Sequence, residues 1–216
     1  MSYKQGFINS TKRLDDADLA AVNDAKHAGF DLRTYKGRRD WTAVQLLRGT
    51  GMRCSEVAGG VGASGEPIGI LCERMTSRRI KGVDQLVLDF TGKGGRRRRV
   101  ILTGDKLALV QAYLRRRPGG RTSGPLFLAV NRHGSPIPGR PMARNALYKV
   151  VRQMGDRAGV EHLFPHRFRH EAASRAGESG VPLPVLMGHF GWSTTAMASR
   201  YMHASDASLA DCCASI

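Results

Sequence analysis

The chain has 216 residues, and 34 Lys and Arg against 18 Asp and Glu give it a formal charge of +16 at neutral pH. Hydrophobic residues make up 41%, enough for one ordinary domain with its own core, which excludes a disordered polyelectrolyte and removes any need for metal or disulfide staples. No apolar run reaches a membrane span, the first residues lack a signal-peptide core, and Cys54, Cys72, Cys212 and Cys213 form no CxxC pair, so the chain reads as a cytosolic protein with reduced thiols and a polyanionic partner.

In chain order, Leu14 to Asp18 open a helix: Asp15 can cap it, Leu14 can staple against Leu19, and Leu19, Val22 and Ala25 carry an apolar stripe to Gly29. Trp41, Val44 and Leu47 mark a second helix, stopped at Gly49-Thr50-Gly51. Residues 59–69 hold five glycines and a proline and read as a flexible loop or an insertion. Gln85 to Phe90 alternate as a half-buried strand, Thr91-Gly-Lys-Gly-Gly95 is a turn, and Arg96 to Leu102 return as the partner strand, a hairpin with Lys93 at its tip. Leu107, Val110 and Leu114 place the next helix. Two Pro-, Gly- and Arg-rich loops, 117–125 and 131–141, flank a short strand from Leu126 to Val130. Leu147, Val150, Val151 and Met154 mark another helix, and helices broken near Gly177–Pro184 and Gly188–Gly191 follow Pro165. The fold class is mainly α with a small antiparallel β-sheet (α+β), without internal repeats.

Four segments carry chemistry: Thr50-Gly-Met-Arg-Cys-Ser-Glu56, the Lys93 turn, His166-Arg-Phe-Arg-His170, and Gly191-Trp192 followed by Tyr201. Each alone has an ordinary reading, as a solvated arginine, a plain hairpin tip, two side chains that share a helical face by chance, and a packed tyrosine. In this order, over residues 12 to 205, they resemble the tyrosine recombinase (phage integrase) family. The resemblance implies that Arg53, Lys93, His166, Arg169, Trp192 and Tyr201 are catalytic, with Glu56 accompanying Arg53. For the sixth position Met187-Gly-His189 resembles the family's Leu-Gly-His motif, but His189 there requires a deletion before it and an insertion after it. Trp192 stands 23 residues after Arg169 and 9 before Tyr201 with no gap, and Gly191-Trp192 resembles Cre-like members. Trp192 is therefore assigned, and His189, as a supporting residue, packs or contacts backbone.

The residue types suit phosphodiester exchange on their own terms. A phenol with an ordinary pKa of about 10 needs activation by a positive field. Two arginines can fork onto phosphate oxygens, an imidazole can donate to the phosphate or accept the phenolic proton, an indole supplies an N–H and an apolar wall, and a lysine can protonate the leaving 5′ oxygen. The resemblance also implies double-stranded DNA as partner, contacted by Arg96, Arg97, Arg98, Arg99, Arg140 and Arg144, and a homo-oligomer (a synaptic tetramer) on that DNA within the nucleoid.

No cofactor is implied. His162, His166 and His170 are spaced by four, but Pro165 interrupts them and no cysteine or acidic cluster completes a zinc set. Two departures stand out: the stretch from Arg53 to Lys93 is long, and only 52 residues precede Arg53. Residues 1–12 then read as an arm, 13–205 as the catalytic domain and 206–216 as a tail, with the family's N-terminal core-binding domain absent. Two other readings stay open, a type IB topoisomerase and a basic nucleic-acid-binding module without catalysis.

Overall fold

The structure, a computed structural model, describes residues 13–24, 26–62, 65–92, 95–120 and 122–202. The sequence-predicted arm, Ala25, the Lys93 tip, Cys212, Cys213 and the 206–216 tail lie outside the described residues.

Helix α1 (Asp16–Ala21) is capped by Asp15, whose carboxylate accepts the Asp18 N–H at 2.7 Å. It is shorter than the stripe predicts, because it ends at Val22 and turns replace it over 26–29. Helix α2 (Tyr35–Thr50) starts at Thr34, whose hydroxyl caps Gly37, and buries Ala43, Val44, Leu46 and Leu47. Its stop is Gly51, at φ 63°, a left-handed conformation that favours glycine. A Cβ there would stand 2.6 Å from the Phe190 ring, so this turn needs a glycine twice over. Directly after it comes the short helix α3 (Cys54–Ala58).

The main sheet has four antiparallel strands in the order β1 (Gly60–Val61), β2 (Pro67–Ile80), β3 (Val83–Thr91) and β4 (Arg97–Leu102). The glycine-rich segment is therefore not a plain loop: Val61 pairs with Pro67 and Gly60 with Ile68. Strand β2 is long and bulged. Ile70 pairs with Phe90 and Met75 with Leu88, and between them β2 bonds elsewhere, with the Cys72 N–H reaching the Gly124 carbonyl at 2.9 Å. The predicted hairpin of β3 and β4 is present, with Phe90 opposite Arg98 and Leu86 opposite Leu102.

Helix α4 (Gly104–Arg115) follows, then a second small sheet of β5 (Leu128–Val130) and β6 (Pro136–Pro141), which occupies much of the predicted second loop. Helices α5 (Arg144–Ala158), α6 (Pro165–Glu178), α7 (Leu183–Phe190) and α8 (Thr195–Ser199) complete the chain. Helix α2 packs against α4, α5 and α6, and the core gathers around Leu47, Met52, Leu88, Phe127, Leu147 and Phe168. A smaller cluster of Ala173, Leu186 and Phe190, with Trp192 and Tyr201 against it, joins α6 to α7. These two clusters meet where the predicted site residues lie.

Candidate active site

Arg53 caps α3 from the turn that Gly51 makes. The Glu56 carboxylate reaches back to it, accepting the Arg53 backbone N–H at 2.7 Å and its guanidinium at 3.0 Å. Glu56 is wholly buried while the Arg53 side chain stays 34% exposed, so the pair fixes a guanidinium that still faces outward. Its other nitrogen lies 3.5 Å from the Gly191 carbonyl.

Helix α6 supplies the second arginine. Pro165 occupies its first turn, where no N–H is missed, and Phe164 sits before it in extended backbone. One turn on, Arg169 points inward and donates to the Gly51 carbonyl at 2.8 Å and the Phe190 carbonyl at 2.5 Å. Burial and the neighbouring Arg53 push its pKa down to about 10, still cationic at neutral pH. Its guanidinium lies 5.2 Å from the Phe190 ring centre and 5.8 Å from that of Trp192. His166, one turn earlier, opens onto the same cleft. Burial, then the charges of Arg169, His170 and Arg53, holds its imidazole below the ordinary pKa.

Helix α7 ends in Gly191, at φ 60°, and the chain turns to Trp192. The Trp192 ring stacks on Phe190 at 4.7 Å and on Tyr201 at 5.2 Å, the latter pair within 2° of parallel. His170 meets the Tyr201 ring edge-on at 5.3 Å. Burial raises the Tyr201 phenol above its usual pKa, with Arg169 and Arg200 pulling the other way. His189 turns to backbone, its Nε2 2.8 Å from the Thr50 carbonyl.

Arg53, His166, Arg169 and Trp192 line one cleft of about 950 Å³, with Arg144 and Tyr148 of α5 on its wall. Two fixed guanidiniums beside an imidazole can hold an anion such as a phosphate. Tyr201 stands behind Trp192 rather than on the cleft lining. Lys93 lies outside the described residues.

The predicted DNA-facing arginines divide. Arg96, Arg97, Arg99, Arg140 and Arg144 are exposed, and Arg99 pairs with Asp89 at 2.8 Å. Arg98 is a correction: it is 8% exposed, because the strand alternation that turns Arg97 and Arg99 outward turns it in, where it pairs with Glu56. Sequence reasoning missed this inward arginine and the His170 contact with Tyr201. The in–out alternation of Arg98, Val100 and Leu102 was the signal available for the first. Among the described residues no group of three His, Cys, Asp or Glu side chains is placed to hold a metal, and no helix is long and apolar enough to cross a membrane.

Comparison with known proteins gives the family and the fold. Residues 71–208 match the phage integrase family. The chain is 32% identical to the tyrosine recombinase XerC of Pelobacter propionicus over 172 residues, 78% of this chain and 49% of that protein. It is 30% identical to the tyrosine recombinase XerD of Staphylococcus aureus over 180 residues, 81% of this chain and 53% of the relative. It thus spans about half the length of the curated relatives it matches. Among solved structures, XerH site-specific recombinase bound to its difH substrate superposes with a TM-score of 0.65 at 18% identity, over 94% of this chain and 54% of that one. The Tn1549 transposon integrase in complex with circular intermediate DNA gives 0.57 at 17%, over 93% and 64%. The fold, mainly helical with a small antiparallel sheet, is shared with both. The chain belongs to the phage integrase family.

Proposed function

We propose that the chain is the catalytic domain of a site-specific DNA recombinase that breaks and rejoins strands through a 3′-phosphotyrosyl intermediate. The observation that carries this reading is the convergence of Arg53, His166, Arg169 and Trp192 on one cleft, with Tyr201 stacked against Trp192. In the proposed reaction the Tyr201 oxygen attacks the scissile phosphorus and the bond to the 5′ oxygen breaks. Arg53 and Arg169 hold the charge on the nonbridging oxygens. His166, held neutral at pH 7 by its lowered pKa, accepts the phenolic proton, and Lys93 donates one to the leaving oxygen. The phosphotyrosyl ester keeps the energy of the broken linkage, so attack by a 5′ hydroxyl reverses the step and needs no nucleotide.

Exposed Arg96, Arg97, Arg99, Arg140 and Arg144 supply phosphate contacts to duplex DNA, with recombination carried out by a tetramer of copies in the nucleoid. Residues 13–205 form the catalytic unit.

The test is trapping. A nicked suicide duplex, which on cleavage loses the short fragment that carries the new 5′ hydroxyl, captures the covalent complex. The wild-type chain forms an adduct that maps to Tyr201, and Tyr201→Phe, which removes one oxygen, binds the same DNA and forms none. An adduct in the Phe variant overturns the nucleophile. Relaxation of a supercoiled plasmid without a target site favours the topoisomerase reading.

A further inference from the structure

Arg98 is a buried cation outside the lining of the cleft. Its side chain is 5% exposed and Glu56, its partner, 0%. Its Nη1 meets Glu56 Oε2, and its Nη2 donates to the His189 carbonyl at the end of α7. The guanidinium also lies 5.4 Å from the Phe90 ring centre. Two glycines make room for the pair: a Cβ on Gly191 would lie 2.7 Å from Arg98 Nε, and one on Gly92 3.0 Å from Glu56 Oε1. Yet Arg98 Nε is buried without a hydrogen-bond partner among the described residues, and Nη1 meets Glu56 as an ion pair without the alignment of a hydrogen bond. A buried, imperfectly bonded ion is a poor source of stability, so its charge and place call for another explanation.

The explanation lies in the arithmetic of the cluster. Glu56 fixes Arg53, but a carboxylate paired with one guanidinium cancels the charge that a phosphate would feel. With Arg98 on its other oxygen, Glu56 is neutralised from behind and the Arg53–Glu56–Arg98 group carries a net positive charge. Arg98 also ties β4, whose hairpin leads to Lys93, to the end of α7, from which Trp192 hangs. Resting on the proposed function, we infer that Arg98 is a positioning residue of the same site: it holds Glu56 and offsets its charge, so that Arg53 meets the scissile phosphate in a fixed place with its full positive charge.

The experiment measures DNA affinity and single-turnover adduct formation on the suicide duplex, well below every variant's melting temperature. Arg98→Met slows adduct formation by about 10², the scale on which small misplacements act, while the Kd for DNA stays within about threefold. Arg98→Lys, which keeps the charge, recovers part of the rate. Adding Glu56→Gln to Arg98→Met, which removes the unbalanced carboxylate but keeps an oxygen for the Arg53 N–H, recovers about tenfold. A structural role alone predicts no rescue from that second substitution, and its absence overturns the proposal. So does an Arg98→Met rate equal to wild type, or a weakened Kd whose salt slope drops by about one phosphate contact, which would make Arg98 a DNA ligand. If the wild-type chain forms no adduct, the proposed function fails and the inference with it. Adducts from wild type and Arg98→Met at equal rates remove the inference alone.

Discussion

The floor of the cleft and its aromatic rim are held by different forces. On the floor Arg53 and Arg169, and beneath it Arg98 and His189, reach the carbonyls of Thr50, Gly51, His189, Phe190 and Gly191. All five carbonyls belong to the C-terminal ends of α2 and α7. Such groups lack partners within their helices and carry the negative end of the helix dipole, so cations satisfy them twice. On the rim, Trp192 and Tyr201 are held by stacked rings and by a five-residue helix, α8, whose Met197 is 47% exposed. Ring stacking is tolerant of sliding in a way that a set of directed hydrogen bonds is not. The groups that would neutralise charge are therefore fixed by directed bonds, while the ring of the proposed nucleophile is placed by aromatic contacts.

The sharpest way to break this contrast is at Arg169. Arg169→Lys keeps a charge but has one nitrogen where the fork serves both Gly51 and Phe190. Adduct formation falls by at least ~10²–10³, the cost of one lost donor to a developing anion. The carbonyl left without a donor costs about 1–3 kcal/mol, which lowers the melting temperature by several degrees in a chain of this size. Arg53→Lys, at a half-exposed position, loses comparable activity with little change in melting. Calorimetry of the two variants side by side checks this, and equal melting shifts would mean that the floor is no more locked at Arg169 than at Arg53.

That difference between floor and rim also explains what was legible in the sequence. Arg53, His166 and Arg169 sit at fixed spacings because each is placed by a local device: a glycine stop, a proline at a helix start, one helical turn. The β3–β4 hairpin shows in the alternation of Leu86, Leu88 and Phe90, which face the core, although Val87 on the other face is buried too. Strand β2 does not show. Its bulge puts Gly69, Ile70, Leu71 and Cys72 all inside, which destroys the period-two pattern on which a strand reading depends. Likewise β1 and β6 are arms of short hairpins, set by pairing with the neighbouring strand along the chain and not by β-forming side chains among their own glycines and prolines. Arg98 does not show either, because a run of four arginines looks uniform; only its position in the alternating strand sets it apart.

The rim offers a smaller and cleaner perturbation. Gly177, buried on α6, lies so close to the backbone of Tyr201 that an added Cβ would stand 1.7 Å from its carbonyl oxygen. In a helix, Gly→Ala ordinarily stabilises by about 0.5–1 kcal/mol. Here the methyl must push residue 201 outward, and a displacement of about 1 Å at a reacting group can cost ~10² in rate. Gly177→Ala is expected to bind DNA as wild type does and to form the adduct about 10–100 times more slowly. Unchanged adduct formation with a raised melting temperature would show that the rim accommodates the shift at no functional cost.

The smallest effect concerns pH, and it tests whether the cleft already sets its proton acceptor before DNA binds. The second-order rate constant of adduct formation reports groups of the free enzyme. His166 is held below its ordinary pKa of about 6.5, so it is neutral at pH 7 and gains a proton only as pH falls through that lowered value. The acid limb should therefore lie below about 6.5, and the rate should be flat from there through neutrality. At the other end the phenol of Tyr201 is raised above about 10, so its ionisation adds no rise in rate below that pH. His170 and His189 are also shifted down by burial, and either could produce a similar limb. His166→Gln separates them: it lowers the plateau and removes the acid limb if His166 is the acceptor. A limb that survives this substitution assigns the proton to another group, and His170, edge-on to the Tyr201 ring, is the one in direct contact with the nucleophile.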